Sequence, residues 1–202
     1  MTTSLADKLT MIQAERLSDL GLLLVPRLAL LPLPMQRFDD PFLPFGKAII
    51  DATRDLTCAY IFDLAAYLSI GAAGAIALER TLAYVGSDTV TILHGLFAGA
   101  GYAGISEEGA FAADAVTLVD GQYLDAYLKR ADRSALIVRG GSPTTLDAPD
   151  TGGYYWNEAQ VFTMLGSSGQ ILQIRMAAES VLYASQGDDF AERARAELEK
   201  RR

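Results

Sequence analysis

The stretch PFLPFGKAIIDATRDLTCAYIFDLAAYLSIGAAGAIALERTLAYV, residues 41–85, holds a helix, a strand and a second helix in one run. Four prolines, Pro32, Pro34, Pro41 and Pro44, make residues 30–46 a connection, with a helix starting near Asp39 or Pro41 and running to Asp55. Leu56–Phe62 is continuously apolar and of strand length, as expected of a strand covered on both faces. A helix over Leu64–Val85 follows, weakened by Gly71 and Gly74. The apolar run from Leu56 to Leu78 raises the question of a membrane span. Asp63 and the two glycines interrupt it and it is short for a bilayer, so a buried strand feeding a buried helix is the reading and no membrane partner is expected.

The same grammar extends in both directions. Residues 3–19 carry Leu5, Leu9, Ile12 and Leu17 near helical spacing, and Leu20–Val25 is a strand stopped by Pro26. Thr89–Leu93, Ala115–Val119 and Ala135–Val138 read as strands, with helices at Ser106–Ala113 and Leu124–Ala131 between them. Residues 140–155, rich in Gly, Pro, Thr and Asp, read as a loop. Val161–Leu165 and Ile171–Met176 are strands separated by only four residues, too few for a crossover helix, so they form a hairpin or mark a lost β/α unit. A last helix over residues 189–202 has Asp188 or Asp189 as its cap and Lys and Arg at its end. Seven buried strands alternating with helices define an α/β chain with a parallel sheet. A doubly wound sheet and a (β/α) barrel both fit, and 202 residues make one domain, 1–202.

Composition narrows the function. Twenty-five acidic against 17 basic residues, a net charge of −8, argue against a nucleic-acid partner. One cysteine, Cys58, and one histidine, His94, exclude an internal disulfide and a His/Cys metal cluster, so no metal is expected. The chain opens without a charged and then apolar leader, which makes a cytoplasmic protein the expectation. Residues 99–104, GAGYAG, match G-x-G-x-x-G, with an apolar run before them and Asp120 about twenty residues on, which raises NAD-type binding through Gly99–Gly104. In a dinucleotide turn, however, the glycines come directly off the strand, whereas His94-Gly95 interrupt this one. No cofactor is therefore expected.

Residues 41–85 closely resemble the second β/α unit of bacterial orotidine 5′-phosphate decarboxylases, and SVLYASQGDDFAERARAELEKRR (180–202) resembles their final strand-to-helix segment. AADAVTL (112–118) and WNE (156–158) fit between in the same order. The resemblance implies a TIM-type barrel, shortened by about one β/α unit, with ligands at the C-terminal ends of its strands and a homodimer as the assembly. It also implies which residues are replaced. The family's substrate-contacting Asp at the end of strand one falls on Val25, and its Lys after C-A-Y falls on Ile61. Its D-A-K-R-G-D signature falls on His94, Gly95, Leu96, Phe97, Ala98 and Gly99, and T-S-N-P on Gly140, Gly141, Ser142 and Pro143. Its phosphate-gripping Arg falls on Glu179, and its Gly-rich phosphate loop of strand seven has no counterpart.

Decarboxylation of this kind needs an ammonium to protonate the developing carbanion, which Leu96 cannot supply, and Glu179 would repel a phosphate monoester. The expectation is thus a barrel without orotidine phosphate decarboxylation. Its apolar pocket, lined by Val25, Ile61, Leu96, Phe97, Gly99, Tyr102, Ser142 and Trp156, would take a small neutral or aromatic molecule. Glu179, His94 and Asp63 are the candidates for proton transfer. Each has a plainer reading: His94 as a hydrogen-bonded core or rim residue, Asp63 and Glu179 as helix N-caps, and Asp120 as a turn residue before Gly121. A non-catalytic scaffold or interaction protein and a residual decarboxylase are the alternatives.

Overall fold

The computed structural model describes residues 4–107, 111–128, 133–139, 152–155, 161–166 and 168–202. Eight strands close into one barrel among these residues: β1 (Leu20–Leu24), β2 (Ala59–Asp63), β3 (Val90–Phe97), β4 (Ala115–Leu118), β5 (Ser134–Arg139), β6 (Gly152–Tyr155), β7 (Val161–Leu165) and β8 (Ile171–Ala177). Strands β1 to β6 pair in parallel in sequence order, and β8 closes onto β1 in parallel. β7 runs antiparallel to both its neighbours. The doubly wound alternative, and with it the dinucleotide-binding half, is excluded by closure. The expected hairpin of the last two strands is present. The extra strand, β6, lies in the Gly-Gly-Tyr-Tyr end of the stretch read as loop, where turn-forming composition hides it.

Alternation along the strands sorts the core into two layers. Inward residues Ala59, Ile61, Val90, Ile92, Ala115, Leu136, Phe162, Met164, Leu172 and Ile174 fill the barrel. Outward residues Leu20, Leu22, Leu24, Tyr60, Phe62, Leu93, Val116 and Leu118 meet the helices. Helix α1 (Leu5–Arg16), capped by Ser4, plugs the end where the parallel strands begin and inserts Leu5, Leu9 and Ile12 into the inner layer. A void of about 10 Å³ remains there, lined by Leu5, Leu9, Val90, Ile92 and their neighbours.

Helix α2 (Phe42–Thr53) follows the proline-rich connection; Pro44 sits in its first turn, where a backbone N–H has no intrahelical partner to lose. Phe42, Phe45, Ile49 and Thr53 recur at helical spacing and bury its inner face. The single helix expected over Leu64–Val85 is two, α3 (Leu64–Leu68) and α4 (Ala72–Val85). Gly71 breaks it by adopting φ +72°, a left-handed conformation open to glycine at little cost. Short helices α5 (Ala103–Glu107) and α6 (Leu124–Tyr127) follow β3 and β4, and α7 (Glu179–Leu182) and α8 (Phe190–Glu199) end the chain. α8 returns to lie on α2, with Phe190 stacked on Phe45 at 5.8 Å. No helix among the described residues is long and apolar enough to cross a membrane.

Candidate functional site

The mouth of the barrel, where the parallel strands end, gathers the candidates from β1, β2, β3 and β8. Asp63 closes β2 and caps α3: its Oδ1 accepts the Ala66 amide at 2.7 Å. His94 stands opposite it on β3 in the strand register. Beyond His94 the pairing of β3 with β4 shifts, so His94, Gly95 and Leu96 form a bulge before pairing resumes at Phe97.

Thr117 of β4 anchors this bulge. Its Oγ1 accepts the amides of Gly95 at 3.1 Å and Leu96 at 3.3 Å, and lies 3.1 Å from His94 Nδ1. Leu96 is held at φ +48° with its side chain 43% exposed. Gly95 is required here by close approach, since a Cβ at that position would lie 2.7 Å from the Phe97 ring. Burial lowers the His94 pKa below its usual 6.5, and the Asp63 charge opposes that shift.

On the other side of the mouth, Glu179 at the start of α7 meets Arg27, just after β1, at 2.6 Å. The chain leaving β1 is pinned by Tyr183, whose hydroxyl donates to the Val25 carbonyl and accepts the Arg27 amide. Burial pushes that phenol up to about 12.

The structure brings Asp63 and His94 together on adjacent strands and places Glu179 in an ion pair with Arg27. The proposed lining separates. Leu96 and Tyr102 are open at the mouth, and Val25 is half-buried. Ile61 is fully buried in the barrel's inner layer, so it forms core below the mouth rather than open surface. Phe97 turns outward, on the same face as Leu93, into the layer with Tyr102 and Tyr127, each 6.3 Å away. Gly99 gives its carbonyl to the Tyr127 hydroxyl at 2.7 Å. Ser142 and Trp156 lie outside the described residues. Asp120 makes the turn read for it, accepting the Gln122 amide at 2.8 Å. Gly99 has an extended φ of 179°, and Gly101 and Gly104 have no atom within 4 Å of a built Cβ, so none of the three is conformationally required in the way a phosphate-cradling turn requires glycine. No group of three or more His, Cys, Asp or Glu side chains among the described residues could hold a metal ion.

Sequence reasoning missed Thr117, Arg27 and Tyr183. Thr117 was legible as an inward position one strand over from His94. The other two depend on the register of β8 against β1.

Closed β/α topology with candidate side chains gathered at the strand C-terminal ends defines a TIM-type barrel. No protein-family model matches the chain. It is 28% identical to an orotidine 5′-phosphate decarboxylase from Herpetosiphon aurantiacus, covering 88% of this chain and 89% of that one. It is 32% identical to another from Thermomicrobium roseum over 73% of this chain and 55% of the relative. Among solved structures, Leishmania donovani OMP decarboxylase superposes with a TM-score of 0.67 over 98% of both chains at 14% identity. These neighbours identify an orotidine 5′-phosphate decarboxylase-like family as the one this chain is similar to.

Proposed function

We propose that this chain is a decarboxylase-like barrel that does not turn over orotidine 5′-phosphate and instead binds a small neutral or aromatic molecule at the mouth above Leu96. One observation carries the reading: β7 is reversed. TIM barrels commonly grip a phosphate with the loops that follow strands seven and eight. Here the connection after β7, Gly166–Gln170, lies at the plugged end, where the Gln170 amide reaches Thr10 of α1 at 3.3 Å.

The groups at the mouth support the same reading. Lys8 pairs with Asp114, Lys47 lies over the Tyr84 ring and Lys200 pairs with Glu197, all away from the mouth; Lys129 is outside the described residues. Position 96, where the resemblance puts the proton-donating Lys, carries an exposed leucine. Asp63 is committed to a cap and Glu179 to Arg27, so binding is favoured over proton abstraction from a carbon acid. Purified protein incubated with orotidine 5′-phosphate is expected to show no loss of substrate absorbance. Turnover above the uncatalysed rate would overturn the reading. A thermal-shift screen with neutral aromatic compounds should find stabilisers that Leu96→Asp abolishes.

A second reading has its own support. Leu28, Leu30, Leu33 and Phe38 after β1, Leu68 after β2, Leu96 and Tyr102 after β3, and Val119 and Tyr123 after β4 are all exposed. Exposed apolar side chains concentrated on one sector mark an interaction surface. A second copy of the chain would cover them as a homodimer, and sedimentation velocity showing a monomer at high concentration would remove that reading.

A further inference from the structure

A leucine with a left-handed backbone is disfavoured by its own Cβ, and it keeps that conformation only where its surroundings impose it. Leu96 is such a residue, at φ +48°. Its side chain is exposed, so burial of that side chain does not hold it. Three contacts of the bulge do. The amides of Gly95 and Leu96 converge on Thr117 Oγ1, at 3.1 and 3.3 Å. The Phe97 carbonyl accepts the Val119 amide at 3.1 Å, which returns the chain to β4 one residue later. Gly95 lies against the Phe97 ring, on the outward side, where a Cβ would come within 2.7 Å. Leu96, between these two, is left to face the mouth.

Thr117 is placed by its strand. It shares the inward face of β4 with Ala115, pairs in register with Leu136 of β5 and is fully buried. A hydroxyl in that aliphatic layer costs stability unless its hydrogen bonds are made, and two of them are made to the bulge. We propose that Thr117 is the positioning residue of the mouth: its hydroxyl holds Leu96 in the left-handed conformation, and Leu96 is the contact surface that selects an apolar ring over an anion. Successive amides converging on one point are the means by which backbone concavities bind anions. Here the threonine oxygen takes the anion's place, so both amides are spent within the protein and the bulge presents hydrocarbon to the bound molecule. The selection rests on the binding site proposed above; the hold of Thr117 on Leu96 does not, so the two can fail separately.

A double-mutant cycle in urea tests the hold without any ligand. Beside Thr117, Leu96→Gly should be more stable than Leu96→Ala by about fivefold in the unfolding equilibrium constant, because glycine takes the left-handed conformation at little cost. In Thr117→Val the two should be about equal, and in Thr117→Ser the wild-type ratio should return. Equal stability beside Thr117 overturns the strain, and a ratio that survives Thr117→Val overturns the role of Thr117. If Thr117→Val does not fold, hydrogen exchange of the wild type decides. The Gly95 and Leu96 amides, on exposed residues, should exchange about tenfold or more slowly than in an unstructured chain, and unprotected exchange overturns the hold. For the selection, toluene and benzoate present the same ring without and with a charge. Toluene should move the Leu96 methyl signals, assigned by their loss in Leu96→Ala, at concentrations about tenfold below those benzoate needs. Thr117→Val should weaken that response about tenfold, and Thr117→Ser should not. Equal responses to the two compounds overturn the selection, an undiminished response in folded Thr117→Val overturns the positioning, and no response to either overturns the binding site itself.

Discussion

Replacing Asp63 separates its two candidate roles, because the cap and the charge respond differently to different side chains. In Asp63→Ala the bond from the Ala66 amide to Oδ1, 2.7 Å long, is lost with nothing to replace it. Loss of an N-cap costs about 1 kcal/mol, with a range of roughly 0.5–2. Ala66 follows only three residues later in the short helix α3, whose few intrahelical bonds give it little stability of its own. For a chain of this size about 1 kcal/mol corresponds to a melting temperature lower by roughly 2–4 °C. Asparagine caps about as well as aspartate, so Asp63→Asn should lose only a few tenths of that. The charge behaves otherwise. It raises the His94 pKa against the larger lowering by burial, so both substitutions should lower His94 further, and by equal amounts. Urea denaturation of the three proteins at pH 7 reads the cap, and titration of the single histidine by NMR reads the charge. If asparagine proves as costly as alanine, or if alanine costs nothing, the cap is not what Asp63 supplies.

Gly95→Ala puts a Cβ at 2.7 Å from a Phe97 ring already hemmed in by Tyr102 and Tyr127, and should cost about 1–3 kcal/mol in chemical denaturation. Leu9→Ala removes a fully buried side chain beside an existing void and should cost about 2–5 kcal/mol, measured in the same way. Arg27→Ala and Glu179→Ala break an ion pair whose members are 55% and 44% exposed, so each should cost less than about 1 kcal/mol and lose its effect at high salt. For pH, His94 has a folded-state pKa below its unfolded value, so the unfolded state binds more protons between the two. Its contribution should therefore leave stability unchanged above the unfolded value of 6.5 and reduce it as pH falls from there toward the folded value, a slope that His94→Gln removes.

Much of the barrel is legible in residues whose burial leaves no alternative. Leu56–Phe62 is apolar throughout because helices cover one face and the barrel interior the other, and β2 lies there with Tyr60 and Phe62 outward and Ala59 and Ile61 inward. The same physics hides β6, since Gly-Gly-Tyr-Tyr owes its strand to pairing with β5 and β7 and not to its own composition. At the site, Asp63 and Asp120 were readable as a cap and a turn because both bonds are local, closing within three residues. Glu179 was not readable, because its partner Arg27 is 152 positions away and meets it only through the closing pair β1–β8. The outward turn of Phe97 was readable by contrast, since two-residue alternation puts it on the face of Leu93 and opposite that of His94.

The reversed strand bears on activity more strongly than any single replaced side chain. In a fully parallel barrel every strand contributes the loop after it to the mouth, so a lost catalytic residue could be regained by substitution in place. Reversal of β7 puts its first residue, Val161, where a C-terminal end would stand and sends the following connection to the plug. Substitution cannot bring that loop back, because a connection stays on the side to which its strand runs. Among the described residues the plugged end is filled: Leu5, Leu9 and Ile12 of α1 occupy it and leave a void of about 10 Å³, about enough for one water. Among the described residues, the bulge, Asp63, Leu96 and the exposed apolar side chains lie in the sector after β1–β4, which is where the proposed binding is placed. On the proposed reading, Leu96→Lys alone should consequently give no orotidine 5′-phosphate turnover, since the connection after β7 runs to the plugged end and not to the mouth.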